Sequence, residues 1–163
     1  METEIIIDQI TIHLNEEKFL DFYMDASPTI YRHHKEVNPY QTHEGDQFSL
    51  EPDFTHYINL DNNGDLKIYT ARVEKELVGY CGYVIYKHPH HTSKVIAAQD
   101  GVYFKKGFRN KGLGEKFLSW TEIKLKDSGV NVVHQSVTPW YDWSKTLNGL
   151  GYKPLETVYF KNI

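Results

Sequence analysis

Hydrophobic and polar residues alternate imperfectly over residues 5–12, within a β-branched run, and this pattern predicts that the chain opens with a strand. Asn15 is a candidate N-cap for a helix that carries Phe and Tyr at helical spacing as far as Asp25. Ser27-Pro28 is expected to end that helix, since proline lacks the N–H that a helix interior needs. A second short helix is predicted over residues 31–37.

Three strands are predicted in the middle of the chain, at residues 66–73, 77–86 and 95–104. β-branched and aromatic residues fill these runs, and turn-forming residues separate them. The second run contains Gly79 and Gly82. Because glycine inside a strand marks a bulge or a close approach of two backbones, we expect an irregular and tightly packed sheet here.

A helix, a strand, a short helix and a final strand are predicted after these, over residues 115–128, 131–137, 140–148 and 156–161. The first helix has a stripe of residues spaced four apart, formed by Leu113, Phe117, Thr121 and Leu125. A strand that follows such a helix lies parallel to the strand before it. The order of elements therefore predicts a mixed α/β fold.

The length of 163 residues fits one domain, covering residues 1–163, that can bury a core. No apolar run approaches the roughly 20 residues of a membrane span, so no membrane partner is expected. The N-terminus lacks the basic and long apolar segments of a signal peptide. Cys81 is the only cysteine and cannot form an internal disulfide. These features predict a cytoplasmic protein.

Charge is distributed unevenly along the chain, although the net charge is only −4. Residues 1–100 hold 8 Lys/Arg and 17 Asp/Glu, whereas residues 101–130 hold 7 and 3. The basic part suits an anionic cofactor that carries phosphates, and the acidic part suits a cationic acceptor such as an amine. The acidic balance disfavours nucleic acid as a principal partner. A solvated surface is the alternative explanation for any single charge.

Residues 109–114 read Arg-Asn-Lys-Gly-Leu-Gly and lie between a predicted strand and a predicted helix. A glycine-rich turn at a helix N-terminus points backbone N–H groups at a phosphate. A P-loop is excluded because Leu113 and Gly114 stand where it needs Lys and Ser/Thr, and Phe117 replaces the third glycine of a Rossmann turn. What remains is Arg-x-x-Gly-x-Gly, with an ordinary tight turn as the alternative.

This turn, the triplet Val102-Tyr103-Phe104 before it and Leu150-Gly151-Tyr152 near the end resemble motifs of the GNAT N-acetyltransferase family. The resemblance covers residues 65–163. It implies a mixed, largely antiparallel sheet with a splayed parallel strand pair, flanked by helices. Residues 13–60, including a predicted loop over residues 40–56, would form the acceptor side.

The resemblance also implies the cofactor, acetyl-coenzyme A, as co-substrate of a transfer to a primary amine by direct attack. Backbone groups of Val102 and Phe104 would pair with the pantetheine arm, and the glycine turn would hold the pyrophosphate. The residues that the resemblance assigns to coenzyme A are Val102, Tyr103, Phe104, Arg109, Asn110, Lys111, Gly112, Leu113 and Gly114.

Catalytic roles follow less directly from the resemblance. Asp100 lies where many members place a general base, and a turn or bulge residue is its alternative explanation. The usual thiol-side tyrosine falls on Leu147 and a frequent asparagine falls on Trp140, so Tyr141 is the candidate acid, with aromatic packing as the alternative. These departures leave open a catalytically quiet member with a structural, assembly or regulatory role.

Nine histidines invite a metal hypothesis, but His33-His34 and the cluster at residues 88–91 lack a ligand spacing typical of zinc. We therefore expect no metal. Cys81 is expected to be a buried small residue. An acyl donor other than acetyl-coenzyme A stays open, and the many tyrosines and tryptophans would suit a homodimer.

Overall fold

The computed structural model describes residues 3–37, 50–139, 141–159 and 161. Six strands form one sheet in the order β1 to β6, antiparallel throughout except for the parallel pair β5–β6. This arrangement confirms the predicted fold class. The elements are β1 (Thr3–Ile7), β2 (Ile10–Glu17), α1 (Phe19–Val37), α2 (Phe54–Asn63), β3 (Leu66–Val73), β4 (Glu76–His88), β5 (His91–Phe104), α3 (Leu113–Asp127), β6 (Val132–His134) and α4 (Ser144–Gly149), with a short 3₁₀ turn over Lys106–Phe108.

The chain opens with a hairpin of two strands, so the prediction of a single opening strand was wrong. Asp8 and Gln9 form the turn with φ of 50° and 67°. Two consecutive left-handed residues give a turn whose twist matches that of the flanking strands. Asn15 is not a helix cap, because it lies in β2 opposite Thr70.

Helix α1 runs without interruption to Val37, so Ser27-Pro28 does not end it and the predicted helix over residues 31–37 is its continuation. Proline costs a helix interior one hydrogen bond. Phe22 and Ala26 are buried on the same side of the helix, in the core against the sheet. This packing outweighs the local cost of Pro28.

Helix α2 was not predicted. Its first three residues fall in the predicted loop, and no element was predicted for the other seven. Its caps are readable in the sequence: the Asp53 side chain accepts from the His56 N–H at 2.9 Å, and Gly64 has φ 79° just after the last turn. Of the predicted loop, residues 40–49 lie outside the described part of the chain.

Two clusters of buried side chains pack against the two faces of the sheet. One cluster joins α3 to the sheet, and the predicted stripe of Leu113, Phe117, Thr121 and Leu125 is buried there. The other joins α1 and α2 to Tyr80 and Tyr103. Helices α1 and α2 therefore lie on the opposite face of the sheet from α3.

The C-terminal part is less regular than predicted. β6 covers only Val132–His134 and α4 only Ser144–Gly149. The predicted strand over residues 156–161 is not formed among the described residues: Leu155, Val158 and Tyr159 are exposed and pair with no strand. A β-branched run without a neighbouring strand has no ladder to join.

None of the helices in the described residues combines the length and the apolar character that crossing a membrane requires.

Candidate active site

A β-bulge at Asp100 controls which backbone groups of β5 face β6. Gly82 pairs with Gly101, but Tyr83 pairs with Gln99, so Asp100 is the extra residue. Before the bulge, the N–H and C=O of Val95 bond to Asn131 on the β6 side. After it, the Lys105 N–H bonds to Val78 of β4. The extra residue shifts the alternation, and the N–H and C=O groups of residues 102 and 104 now face away from β4.

The two parallel strands separate soon after they meet. β5 and β6 pair only over residues 96–98 and 132–134. One step further on, the connection is made by a side chain, since the Ser136 N–H donates to Gln99 Oε1 at 2.9 Å. Val102 and Phe104 therefore present backbone groups to an open gap, as the resemblance implies for the pantetheine arm.

The glycine turn lies beside this gap. Gly112 has φ 79° and no side chain caps the helix that it precedes. The first N–H groups of α3 have no partner within the helix, which leaves them available to an anion. A Cβ built at Gly112 would meet nothing within 4 Å, and at Gly114 the nearest atom would be Phe104 Cε2 at 3.8 Å. The space directly beside Gly112 and Gly114 is therefore open.

Arg109 points away from this turn. Its Nε donates to the Phe104 carbonyl at 2.6 Å and its Nη2 donates to Glu36 Oε2 at 2.8 Å. The guanidinium carbon lies 5.2 Å from the ring centre of Tyr103 and 5.4 Å from that of Tyr141. The arginine therefore bridges β5, α1 and the segment before α4, across the mouth of the gap.

Asp100 lies in a recess between the sheet and α2. The Tyr57 hydroxyl donates to both of its carboxylate oxygens, at 3.1 and 3.2 Å. The residue keeps accessible surface, but protein atoms crowd around the carboxylate on the remaining sides. This desolvation raises the pKa of Asp100, and the Tyr57 hydrogen bond opposes the rise. The bulge, which was the alternative explanation for Asp100, is therefore compatible with a raised pKa of its carboxyl.

Four residues of this cleft were not predicted: Glu36, Tyr57, Tyr80 and His33. His33 Nδ1 and the Tyr80 hydroxyl are hydrogen-bonded, and the His33 ring lies 5.1 Å from that of Tyr103. Burial lowers the pKa of His33 to about 4, so the ring is neutral near pH 7. The predicted helix over residues 31–37 already places His33 and Glu36 on one face, but it does not show that this face meets Tyr103 and Arg109.

The structure also places the positions that depart from the family pattern. Tyr141 is half-buried beside Arg109; burial raises its pKa and Arg109 opposes the rise. Leu147 is buried, with 7% of its surface exposed, and so belongs to the core. Trp140 lies outside the described residues.

Two other features bear on ligands. A groove of about 750 Å³ lies along the outer edge of β6 and is lined by Val133, Leu150 and Tyr152. It is remote from the glycine turn and holds neither candidate catalytic residue, so we base no activity on it.

Within the described residues, no three His, Cys, Asp or Glu side chains are grouped to hold a metal. The expected absence of a metal stays a prediction. Cys81 is buried, as expected.

Comparison with known proteins agrees with this geometry. The model of the acetyltransferase (GNAT) family matches residues 23–145. No curated protein sequence matches the chain.

Solved structures of similar fold cover 93% of the chain. An aminoglycoside acetyltransferase, meta-AAC0020, from an uncultured soil metagenomic sample has a TM-score of 0.66 at 16% identity, with 96% of its own chain covered. A ribosomal-protein-alanine N-acetyltransferase from Brucella melitensis biovar Abortus 2308 has 0.67 at 14%, with 99% covered. A predicted acetyltransferase from Clostridium acetobutylicum, solved with acetyl-CoA, has 0.67 at 10%, with 96% covered. At these low sequence identities, the similarity to the three structures shows a shared fold and nothing about substrates.

Proposed function

Because the chain belongs to the GNAT family of acetyltransferases, we propose that it transfers an acetyl group from acetyl-coenzyme A to a primary amine by direct attack. The observation that carries this proposal is the separation of β5 from β6 beyond Ala98, beside an uncapped glycine turn. The gap offers backbone groups to an extended polar arm, and the turn offers N–H groups to its phosphates.

The chain holds the donor mainly through its backbone in this proposal. The N–H and C=O groups of Val102 bind the pantetheine arm, whereas the Phe104 carbonyl already accepts from Arg109. The N–H groups of Leu113 and Gly114 bind the pyrophosphate, as part of the predicted set from Arg109 to Gly114. When bound, coenzyme A supplies an acetyl thioester to the amine.

Asp100 is the proposed general base. A primary ammonium must lose a proton before its nitrogen can attack, and a carboxylate with a raised pKa removes that proton more readily. The recess that desolvates Asp100 opens on the side of α1 and α2, which carry Glu36 and Tyr57. The Phe104 N–H is the proposed donor to the acetyl carbonyl oxygen.

Tyr141 is the proposed acid. The carbon–sulfur bond breaks as the carbon–nitrogen bond forms, and the sulfur takes the proton of the Tyr141 hydroxyl. The second proton that the nitrogen loses in becoming an amide then restores this hydroxyl. This hydroxyl is protonated near pH 7, because the ordinary pKa of tyrosine is about 10 and burial raises it further. The Arg109 guanidinium beside the ring would stabilise the phenolate that the transfer leaves.

The acceptor is proposed to be a cation. Two carboxylates, Glu36 and Asp100, and the rings of Tyr57, Tyr80 and Tyr103 surround the cleft, and carboxylates and aromatic faces both attract an ammonium. Residues 13–60 would form this acceptor side. The neighbours described above are named for aminoglycosides and for a ribosomal-protein alanine, and we propose an acceptor with a similarly charged primary amine.

One observation favours a second candidate, a catalytically quiet member of the family. Leu147 stands where the resemblance expects the thiol-side tyrosine, and it is buried in the core. A protein of this kind would keep the fold for assembly or regulation. We also propose that the protein acts in the cytoplasm as a homodimer, without nucleic acid or a metal.

The experiment is a thiol-release assay with acetyl-coenzyme A and three amines: spermidine, an aminoglycoside and a peptide with a free N-terminal alanine. We expect turnover with at least one amine, and a fall of about 100-fold or more in Asp100→Asn, the usual effect of losing a general base. Asp127→Asn, on the exposed end of α3, is the matched control. A folded chain that binds acetyl-coenzyme A but turns over none of these amines would favour the quiet candidate.

A further inference from the structure

The arginine of the glycine turn already has an anionic partner inside the protein. Glu36, in the last turn of α1, accepts from Arg109 at 2.8 Å. The two side chains expose only 19% (Arg109) and 22% (Glu36) of their surfaces. Tyr103 and Tyr141 flank the guanidinium, so the pair lies in a partly enclosed site where its attraction is less screened than at an open surface.

A carboxylate and a phosphate present equivalent acceptors to a guanidinium, since both offer paired oxygens to its planar N–H groups. Arg109 is the first residue of the turn that is proposed to hold the pyrophosphate, three positions before Gly112. A phosphate bound there would compete with Glu36 for the same side chain.

A phosphate that takes Arg109 would leave the Glu36 carboxylate without its guanidinium partner. Glu36 lies one helical turn after His33, whose ring packs against Tyr103 in the cleft. A half-buried carboxylate that loses its guanidinium needs another cation, because an unpaired buried charge is costly. The only other cation that the proposed reaction brings to this cleft is the amine.

We propose that Glu36 is an internal competitor for the donor's phosphates and the carboxylate that afterwards receives the cationic acceptor. In the free protein Glu36 holds Arg109. Donor binding transfers Arg109 to the phosphates and leaves the Glu36 carboxylate open to an ammonium. This inference rests on the proposed function, and it predicts that donor and acceptor each strengthen the binding of the other.

The test is calorimetric titration with coenzyme A of the native chain, Glu36→Gln, Arg109→Gln and the double variant. Glu36→Gln keeps the size of the side chain and removes its charge. Glu76→Gln is the matched control, because Glu76 forms an ion pair with Lys105, which directly follows Phe104. Thermal unfolding of each variant establishes that it is folded.

We expect Glu36→Gln to bind coenzyme A about fivefold more tightly, equivalent to about 1 kcal/mol, the upper range for a partly exposed ion pair. We expect Arg109→Gln to bind it more weakly, and Glu36→Gln to have no further effect in the Arg109→Gln background. Glu76→Gln should stay within about twofold of the native chain, because surface ion pairs contribute little.

An unchanged or weaker affinity in Glu36→Gln would overturn the inference while leaving the proposed function intact. A gain that persists in the Arg109→Gln background would also overturn it, because it would show a direct repulsion between Glu36 and the phosphates. If Arg109→Gln does not fold, Arg109→Lys replaces it, and the gain should shrink because lysine makes no paired contact. No binding by the native chain would overturn both the inference and the proposed function.

Discussion

Gly79→Ala is expected to destabilise the protein and to disturb the strand that is proposed to hold the donor. Gly79 of β4 lies directly opposite Phe104 of β5. Because the neighbouring Lys105 N–H bonds to Val78, residues 79 and 104 form a non-hydrogen-bonded pair, in which Cα atoms approach to about 4.5 Å. A Cβ at Gly79 would lie 2.3 Å from Phe104 Cδ1 and 3.2 Å from the Tyr103 carbonyl oxygen.

Neither neighbour can move freely. The Phe104 ring packs edge-on against Phe117, with ring centres 5.5 Å apart. The Tyr103 carbonyl belongs to the backbone of the sheet. Overpacking of this kind costs about 1–3 kcal/mol. Alanine also lowers the conformational entropy of the unfolded chain, which by itself stabilises the folded protein by about 0.4–1 kcal/mol. The clash is therefore the larger effect, and we expect a net loss of about 1–2 kcal/mol.

Thermal and urea unfolding measure this loss. For a chain of this length, 1 kcal/mol corresponds to about 2–4 °C in Tm. Gly107→Ala is the matched control, because a Cβ there would meet nothing within 4 Å. The affinity for coenzyme A should fall in Gly79→Ala as well, since Phe104 is displaced.

A Gly79→Ala protein as stable as Gly107→Ala would refute the packing argument. The double variant Gly79→Ala, Phe104→Leu gives a second check, because a smaller side chain relieves the overlap. Its loss should be smaller than the sum of the two single losses by at least about 0.5 kcal/mol, the range expected for residues in contact.

Three further predictions concern the cleft. Tyr57→Phe removes the hydrogen bond that lowers the pKa of Asp100, so the acidic limb of kcat/KM should move to higher pH, and a shift to lower pH would contradict the assignment. Tyr141→Phe should lower kcat by about 10²-fold or more and leave coenzyme A affinity unchanged, as expected for a lost general acid; an unchanged kcat would leave the ring a packing role. His33 has a pKa of about 4 in the folded chain, against an ordinary value of 6.5. Between these pH values the unfolded chain binds a proton that the folded chain does not, so the folded state becomes less stable as the pH is lowered from 6.5 to about 4. His33→Asn should flatten the dependence of Tm on pH over that range, and an equally steep dependence would exclude His33 as its source.

The sequence predicted the part of the fold from β3 to α3 well, because each of its signals is local. β3 and α3 lie within a residue or two of their predicted bounds, and Gly79 does lie at a shift in strand register, opposite Ala71. A glycine turn, an apolar stripe and a helix that joins parallel strands are each specified by neighbouring residues. The resemblance to the GNAT family was confirmed for the same reason.

Helix α1 and its contacts were predicted poorly, because long-range packing controls them. Pro28 is a local stop signal, but the burial of Phe22 and Ala26 against the sheet keeps α1 continuous. Since α1 was divided in the prediction, Glu36 could not be placed beside Arg109, 73 positions away. Such a contact depends on where the helix crosses the sheet, which no single stretch of sequence specifies.

The most direct test of the account is a calorimetric titration of the native chain with acetyl-coenzyme A beside Gly114→Asp and Gly107→Asp. A Cβ at Gly114 has room, with its nearest neighbour 3.8 Å away, so the variant should fold. Its carboxylate should repel the pyrophosphate at the N-terminus of α3. If the donor binds at this turn, the native chain and Gly107→Asp should bind acetyl-coenzyme A, and Gly114→Asp should not. Equal binding by all three folded proteins, or by none, would contradict a donor site at this turn.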